Sequence, residues 1–182
     1  MSDKLSRKDQ QLLLAIARTT IDSYVTNKTV SALPEAYPAL DEQRGCFVTI
    51  KKDGALRGCI GTFTSDKPLN RTVQEMAVSA ATRDPRFYPM KQADLADYHL
   101  EISVLSPLKK IDSIDEIIVG THGLYMEKNI ARGVLLPQVA TEFGWDRETF
   151  LRQTCLKAGL RPDEWQDGVT IYIFSADICS DN

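Results

Sequence analysis

Long apolar runs are missing from this sequence of 182 residues. No stretch approaches the roughly 18 uncharged apolar residues that a membrane-spanning helix needs, and residues 1–9 are too polar for the apolar core of a secretory signal. We therefore expect a cytoplasmic protein without a membrane partner. An excess of positive charge is also missing, because 25 acidic residues outnumber 22 lysines and arginines. Without a basic surface, nucleic-acid binding is the least favoured of the roles considered below.

Metal-binding motifs are absent from the sequence as well. The cysteines form no C-x-x-C pair, which excludes a zinc ribbon and a thioredoxin-type motif, and we expect no metal site. Cys155 falls in the apolar stripe of a predicted helix and is expected in the core, whereas Cys179 falls in a polar tail without an expected role. In a reducing compartment the simplest state of every cysteine is the free thiol. The four residues are Cys46, Cys59, Cys155 and Cys179.

The chain does contain enough apolar material for a globular fold. Hydrophobic residues make up 43% and charged residues 26% of it, which is ordinary for a soluble domain. The length suits one core, or one core with a smaller subdomain, and does not favour two independent domains. We therefore treat residues 1–182 as a single domain.

Helical spacing of apolar residues predicts two helices in the first half of the chain. The first begins after Ser6, where Asp9 three residues later completes a capping pattern. The second follows Pro68 and ends near Arg83, because Pro85 cannot continue a helix. Residues 28–44 between them have no clear period, and we expect this connection either to wrap the body of the protein or to border a site.

Period-two alternation and turn residues predict a hairpin of strands 46–51 and 55–60, joined by Lys52-Asp53-Gly54. The order of elements after the second helix is irregular and shows no repeat. We therefore predict an α+β fold with a largely antiparallel sheet flanked by helices. The later elements are strands at 98–105, 124–127, 134–136 and 169–174, and helices at 137–143 and after Asp146.

Two glycines interrupt the second strand of the hairpin, where glycine usually marks a bulge or the close approach of a backbone or a ligand. If the strand is regular, Arg57 and Cys59 lie on one face about 7 Å apart, and Leu56 lies on the other. A cation favours the reactive thiolate, so Cys59 could be a nucleophile or a metal ligand. The alternative is a buried apolar Cys59, with Arg57 paired to a surface carboxylate. The whole segment is Leu56-Arg57-Gly58-Cys59-Ile60-Gly61.

Hairpin register adds a conditional prediction. A two-residue Asp53-Gly54 loop would place Val48 opposite Cys59, with Cys46 diagonal to it on the same face. A three-residue loop would put Cys46 on the other face. Diagonal cysteines suit no unstrained disulfide, so we expect both to remain reduced.

Asp84 and Arg86 follow the end of the second helix. Arginine can bind a carboxylate or a phosphate in bidentate fashion, which makes this turn a candidate ligand site. The alternative is that Asp84 and Arg86 pair with each other and lock the turn, while Phe87 fills the core. Both interpretations can hold together.

Further polar residues could complete the same cavity. His122 lies among small residues and could be a general base or one ligand of a metal, although a solvated turn histidine is the simpler interpretation. His99, on a predicted strand, is a weaker candidate. Gln138 at a helix start and the polar strand residues Glu101 and Ser103 could point into this cavity, or could form only surface hydrogen bonds.

Five short segments occur in a characteristic order: LRGCIG at 56–61, DPRF at 84–87, EISVL at 101–105, GTHGL at 120–124 and LLPQVA at 135–140. This series resembles the AMME chromosomal region gene 1 protein family, which in prokaryotes is also called AmmeMemoRadiSam system protein A. The resemblance covers a family-like core of about residues 12–174.

The resemblance implies an α+β fold with two unequal subdomains around a cleft, into which segment 56–61 projects. It also implies an association with Memo-like and radical S-adenosylmethionine proteins, and with redox or modification chemistry shared with them. It supplies neither a reaction nor a cofactor.

Two hypotheses of function follow. The first is an enzyme or a binder of a small ligand, and the density of glycine, arginine and thiol in a few short segments favours it. The second is a non-enzymatic protein–protein adaptor, in which the same segments only stabilise the fold. Under the first hypothesis the catalytic residues are Cys59 and His122, and the ligand-binding residues are Arg57, Gly58, Gly61, Asp84, Arg86 and Gln138.

Overall fold

The computed structural model describes residues 4–33 and 40–181. The chain divides into two compact units of unequal size, the first formed by Met1–Leu105 with Asp177–Asn182, and the second by Ser106–Ala176. Each unit contains one four-stranded sheet, and the predicted α+β class with antiparallel pairing is confirmed. The predicted cleft stays a prediction.

The helices of the first unit begin and end as their sequence indicates. Helix α1, Arg7–Asn27, starts at Ser6, whose hydroxyl accepts the Asp9 N–H at 3.2 Å. Helix α2, Leu69–Thr82, ends at Arg83, where the chain approaches Pro85. Of the predicted connection 28–44, residues 34–39 lie outside the described residues.

The first sheet has the strand order β2-β1-β3-β8. Alternate residues of its strands enter the core that α1 and α2 cover, among them Val48, Ile50 and Ile102, each fully buried. The predicted strand at 98–105 is therefore confirmed. The strands are β1 (Cys46–Lys52), β2 (Ala55–Thr62), β3 (Tyr98–Leu105) and β8 (Ala176–Ser180).

Strand β8 was not predicted, and the prediction of a polar tail at Cys179 is wrong. Cys179 is only 6% exposed and belongs to the core of the first unit. The polar residues around it are compatible with a strand because they have partners: Asp177 accepts the Leu5 N–H at 3.0 Å, and Asp181 accepts the Leu100 N–H at 2.8 Å.

The predicted β1–β2 hairpin is present, and of the two loop lengths considered it has the two-residue turn at residues 53–54. Beyond this turn the pairing shifts by one residue, because Ile50 pairs with Gly58 and Arg57 is left as an additional residue on β2. Such an insertion is a β-bulge, which bends the strand and changes which face the following residues occupy.

The bulge overturns the predicted register. Cys59 lies opposite Thr49 rather than Val48, and Cys46 lies opposite Thr62, on the other face of the sheet from Cys59. The two-residue turn, together with the bulge, therefore puts Cys46 on the face that we expected only from a three-residue loop. Both cysteines are free, as predicted.

The second unit contains a sheet of strand order β4-β7-β5-β6 and two helices. Its core includes Phe150 and Cys155, both fully buried, and Trp145 and Trp165 pack against it. Strand β4 is a two-residue pairing that no pattern indicated. The elements are β4 (Lys109–Lys110), β5 (Gly123–Lys128), β6 (Ala131–Leu135), β7 (Thr170–Phe174), α3 (Pro137–Glu142) and α4 (Arg147–Lys157).

None of the helices in the described part of the chain combines the length and the apolarity needed to cross a membrane.

Candidate functional site

Asp84 and Arg86 hold the backbone of Cys59 from the open side of β2. Strand β2 is an edge strand, so the N–H and C=O groups on that side have no neighbouring strand. The Asp84 carboxylate accepts the Cys59 N–H at 2.9 Å, and the Arg86 guanidinium donates to the Cys59 carbonyl at 3.4 Å. Two side chains thus take the place of a neighbouring strand at Cys59, and we call this arrangement the Asp84–Arg86 clamp.

The clamp is also a tight ion pair. Arg86 donates to Asp84 through Nε at 3.0 Å and through Nη2 at 2.8 Å, which is the bidentate geometry that favours arginine over lysine. Asp84 is 4% exposed, whereas the Arg86 side chain remains 56% exposed. The predicted pairing within this turn is therefore present, and Arg86 keeps an accessible side.

Electrostatics keep the clamp ionised. The bond from Arg86, together with the N–H groups of Cys59 and Arg86, holds the pKa of Asp84 well below its usual range. The bond to Asp84 in turn raises the pKa of Arg86, and the neighbouring Cys59 adds to this rise. Arg86 therefore lies near Cys59, and the contact that the structure shows between them is the bond to the Cys59 carbonyl.

Cys59 carries the accessible thiol of the chain. It is partly exposed, whereas Cys46, Cys155 and Cys179 are buried. Burial raises the pKa of the Cys46 thiol to about 12, which makes that residue unreactive. The Cys59 Sγ accepts a hydrogen bond from the Thr49 hydroxyl at 3.2 Å, so the sulfur as well as the backbone is held in place.

Arg57 binds the segment that follows α2 rather than the Cys59 sulfur. Its guanidinium donates to the Tyr88 carbonyl at 2.9 Å and to the Asp94 carboxylate at 3.4 Å. A bond from the Lys91 N–H, and then the charge of Arg57, hold the pKa of Asp94 below its usual range. The pairing of Arg57 with a carboxylate, which was the alternative expected for it, is thus present.

Strict alternation in this segment fails at the bulge. Leu56 pairs with Lys51, and Cys59 pairs with Thr49, so Leu56 and Cys59 lie on the same face. The prediction that they lie on opposite faces is wrong, because the additional residue Arg57 between them shifts the alternation by one.

The two glycines of the segment have packing partners that require them. A Cβ on Gly58 would lie 2.2 Å from the carbonyl oxygen of Ala80, so the absence of a side chain lets α2 approach β2. A Cβ on Gly61 would lie 2.3 Å from the ring of Phe47. Of the three explanations expected for these glycines, the structure supplies a bulge and a close backbone approach.

The face of the first sheet that carries Thr49 presents further polar groups, and we call it the thiol face. Thr49 lies between Cys59 on β2 and Glu101 on β3, so the three form one row across the sheet. The Glu101 carboxylate forms an ion pair with the Lys51 ammonium group at 2.9 Å. Thr49 and Lys51 were not among the predicted site residues, although their alternation with buried Val48 and Ile50 would have placed them on this face.

His122 and Gln138 belong to the second unit. The His122 side-chain Nδ1 accepts the backbone N–H of Ile118 at 3.1 Å, and the backbone N–H of His122 donates to the Ile118 carbonyl at 2.9 Å. The residue therefore closes a turn. With Nδ1 accepting, the neutral ring carries its proton on Nε2. The backbone carbonyl of Gln138 accepts a hydrogen bond from the Thr141 hydroxyl at 2.8 Å. The convergence of His122 and Gln138 with Cys59 stays a prediction.

Within residues 4–33 and 40–181, no three histidine, cysteine, aspartate or glutamate side chains cluster in a way that could hold a metal ion.

The sequence and the fold place this chain in a family. The AMMECR1 family model matches residues 14–179, and the chain therefore belongs to the AMMECR1 family, as the five segments indicated.

Archaeal relatives are similar over nearly their whole length. A protein of Methanothermobacter thermautotrophicus is 47% identical over 182 residues, covering 96% of this chain and 95% of that protein. Protein MK0488 of Methanopyrus kandleri is 41% identical, covering 98% and 91%. The crystal structure of the uncharacterized protein PH0010 from Pyrococcus horikoshii matches with a TM-score of 0.86 and 38% identity, covering 97% of this chain and 93% of that one.

Proposed function

We propose that this chain is a small-ligand-binding or catalytic protein whose reactive group is the Cys59 thiol, acting with Memo-like and radical S-adenosylmethionine proteins in redox or modification chemistry. The observation that carries the proposal is that Cys59, the partly exposed cysteine, has its backbone N–H held by Asp84 and its carbonyl held by Arg86. A thiol that is held in one position, with a hydrogen-bond donor at its sulfur, favours the binding of a ligand or the reaction with an electrophile.

The residues around the thiol supply complementary roles. The Thr49 hydroxyl donates to the sulfur, and the exposed part of Arg86 offers a positive charge to an anionic group of a ligand. Lys51 and Glu101, on the same face, can contact polar groups of that ligand. Arg57 is a positioning residue in this proposal, because it ties β2 to Tyr88 and Asp94.

The proposal is tested by identifying the small molecules or adducts that remain bound to the protein when it is purified from its own cells. Native mass spectrometry of the purified chain should find a small molecule or an adduct on the wild type that Cys59→Ser and Arg86→Ala do not carry. Thr49→Val is the finer variant, because it removes the hydroxyl donor and keeps the side-chain shape. A ligand retained equally by Cys59→Ser and Arg86→Ala would contradict the proposal.

A non-enzymatic adaptor is the second candidate function, and one observation favours it. Tyr88 is 87% exposed, and its carbonyl accepts the Arg57 bond that anchors this turn to β2. Exposed tyrosine is typical of contact surfaces between proteins. The adaptor predicts that Tyr88→Ala abolishes capture of Memo-like or radical S-adenosylmethionine proteins while Cys59→Ser leaves it intact, whereas our proposal predicts that Cys59→Ser impairs cellular function even where capture persists.

A further inference from the structure

A cavity of about 480 Å³ lies between α1 and α2 in the first unit. Its lining includes Tyr24 from the end of α1, Val30 beyond it, and Arg71, Met76, Ser79 and Arg83 along α2. We call it the α1–α2 cavity. Its volume is within the range of cavities that bind small organic ligands in proteins.

The α2 side of the cavity follows from helical periodicity. Arg71, Glu75, Ser79 and Arg83 recur every four residues, so they lie on one side of the helix. The α-carbons of Arg71 and Arg83 are separated by about 18 Å along the axis, because each residue adds about 1.5 Å. Arg71 and Arg83 are therefore the first and last residues of the α2 side of the lining.

Positive charge in the cavity is not neutralised. In the described residues neither Arg71 nor Arg83 pairs with a carboxylate, and the Arg71 side chain donates only to the Gln74 side chain at 3.4 Å. Glu75, the acidic residue of the lining, is already paired with Lys67 at 2.6 Å. A cationic cavity in a chain of net charge −3 is a local feature that selects anions.

The remaining lining is largely apolar. Val30 is 51% exposed although it is apolar, and Met76 and the ring of Tyr24 line the same space. The floor of the cavity is fixed, because the Gln74 amide, 3% exposed, donates to the Ser31 carbonyl at 2.8 Å. The cavity thus combines apolar surface with cationic side chains.

From this combination we infer that the α1–α2 cavity binds an organic anion with an apolar body, held through its carboxylate or phosphate group by Arg71 or Arg83. This site is separate from the proposed function at Cys59: Arg83 precedes Asp84 of the clamp in sequence, but in the described part of the chain no cavity side chain hydrogen-bonds to Cys59, Asp84 or Arg86. The two sources of the anionic group, a carboxylate and a phosphate ester, are distinguished by the test.

The probe for this site is anilinonaphthalene sulfonate, an aromatic anion whose fluorescence rises on binding apolar surface. We expect saturable binding with one site per chain, competition by octanoate or by octyl phosphate, and no competition by octylammonium. The better competitor of the first two identifies the anionic group. Replacement of both arginines, Arg71→Ala with Arg83→Ala, should weaken binding at least about tenfold, because the charge-assisted hydrogen bond to the anionic group is lost whichever arginine forms it.

Matched variants separate this effect from a general loss of positive charge or of folding. Arg152→Ala removes a comparably exposed guanidinium in the second unit and should leave binding unchanged. Arg83→Lys keeps the charge and should retain most of the affinity. Helix α2 should persist in all variants, because Arg83 caps it through its backbone N–H, which donates to the Ser79 carbonyl at 2.8 Å. Absence of saturable binding, equal binding by the double variant, or equal competition by octylammonium would each overturn the inference.

Discussion

The Asp84 carboxylate accepts the backbone N–H of Cys59 at 2.9 Å. This bond connects the turn after α2 to the edge strand that carries the accessible thiol. Because Asp84 is buried and Arg86 completes the contact to the Cys59 carbonyl, the position of the thiol depends on a charged pair rather than on apolar packing.

Asp84→Ala should lower the free energy of unfolding by about 2–4 kcal/mol, because it removes charge-assisted hydrogen bonds and leaves the Cys59 N–H without an acceptor. Urea denaturation at pH 7 measures this loss. Asp163→Ala is the control, since Asp163 forms an exposed ion pair with Arg152, and it should cost less than about 1 kcal/mol. Equal losses in the two variants would show that the clamp does not stabilise the fold.

Acid should destabilise the protein partly through the same carboxylate. The pKa of Asp84 is lowered in the folded state, so its contribution is fully present above the unfolded value near pH 4 and is lost as pH falls below it. The pKa of Asp181 is lowered as well, because bonds from Arg18 and the Leu100 N–H outweigh its burial, and it acts in the same direction. Asp84→Asn should therefore flatten the dependence of unfolding free energy on pH between about 5 and 3. An unchanged pH slope in this variant would refute the assignment.

Gly58→Ala should destabilise the first unit because its Cβ would meet the Ala80 carbonyl oxygen at 2.2 Å. Backbone atoms of a packed helix cannot rotate away, so α2 must shift, at a cost of about 1–3 kcal/mol or more. Gly54→Ala is the comparison, since Gly54 has a positive φ of 74° but open space around it. The melting temperature should fall further for Gly58→Ala than for Gly54→Ala, and the reverse order would contradict the close helix–strand approach.

Arg57→Ala should change the alkylation rate of Cys59 less than about twofold, because the Arg57 guanidinium is bound to Tyr88 and Asp94. Arg86→Ala should slow alkylation at pH 7 by about threefold or more, since it removes the guanidinium that holds the Cys59 carbonyl and with it the position of the thiol. Arg86→Lys can still donate one hydrogen bond to that carbonyl and should lose less of the rate. A larger effect of Arg57→Ala than of Arg86→Ala would restore the arrangement that strict strand alternation predicts.

The sequence allowed most of the fold to be predicted, because its elements depend on local signals. The Ser6 cap, the two-residue turn at 53–54 and the termination of α2 before Pro85 each involve neighbours in sequence. Strand β8 could not be predicted in the same way, since its polar residues are stabilised by partners distant in the chain, such as Leu5 and Leu100.

The site was predicted less completely, and for a related reason. Arg57, Cys59, Asp84 and Arg86 lie within one unit, but a single inserted residue at the bulge decides which side chains share a face. In so short a segment, the insertion of one residue does not visibly change the alternation of apolar and polar residues, so the sequence does not indicate the bulge. The role of Asp84 as an acceptor for the backbone of β2 required knowledge of the strand order, which places β2 at the sheet edge.

The most direct test of the central claim is the order in which the four cysteines of the folded protein react with iodoacetamide, followed by mass spectrometry of the peptides. Attack by the thiolate forms a sulfur–carbon bond and releases iodide, so each modified cysteine is identified by its mass. A held and accessible thiol predicts that Cys59 reacts first and alone, while Cys46, Cys155 and Cys179 react only after denaturation. A folded protein in which Cys59 stays unmodified, or reacts no faster than the buried three, would contradict the account.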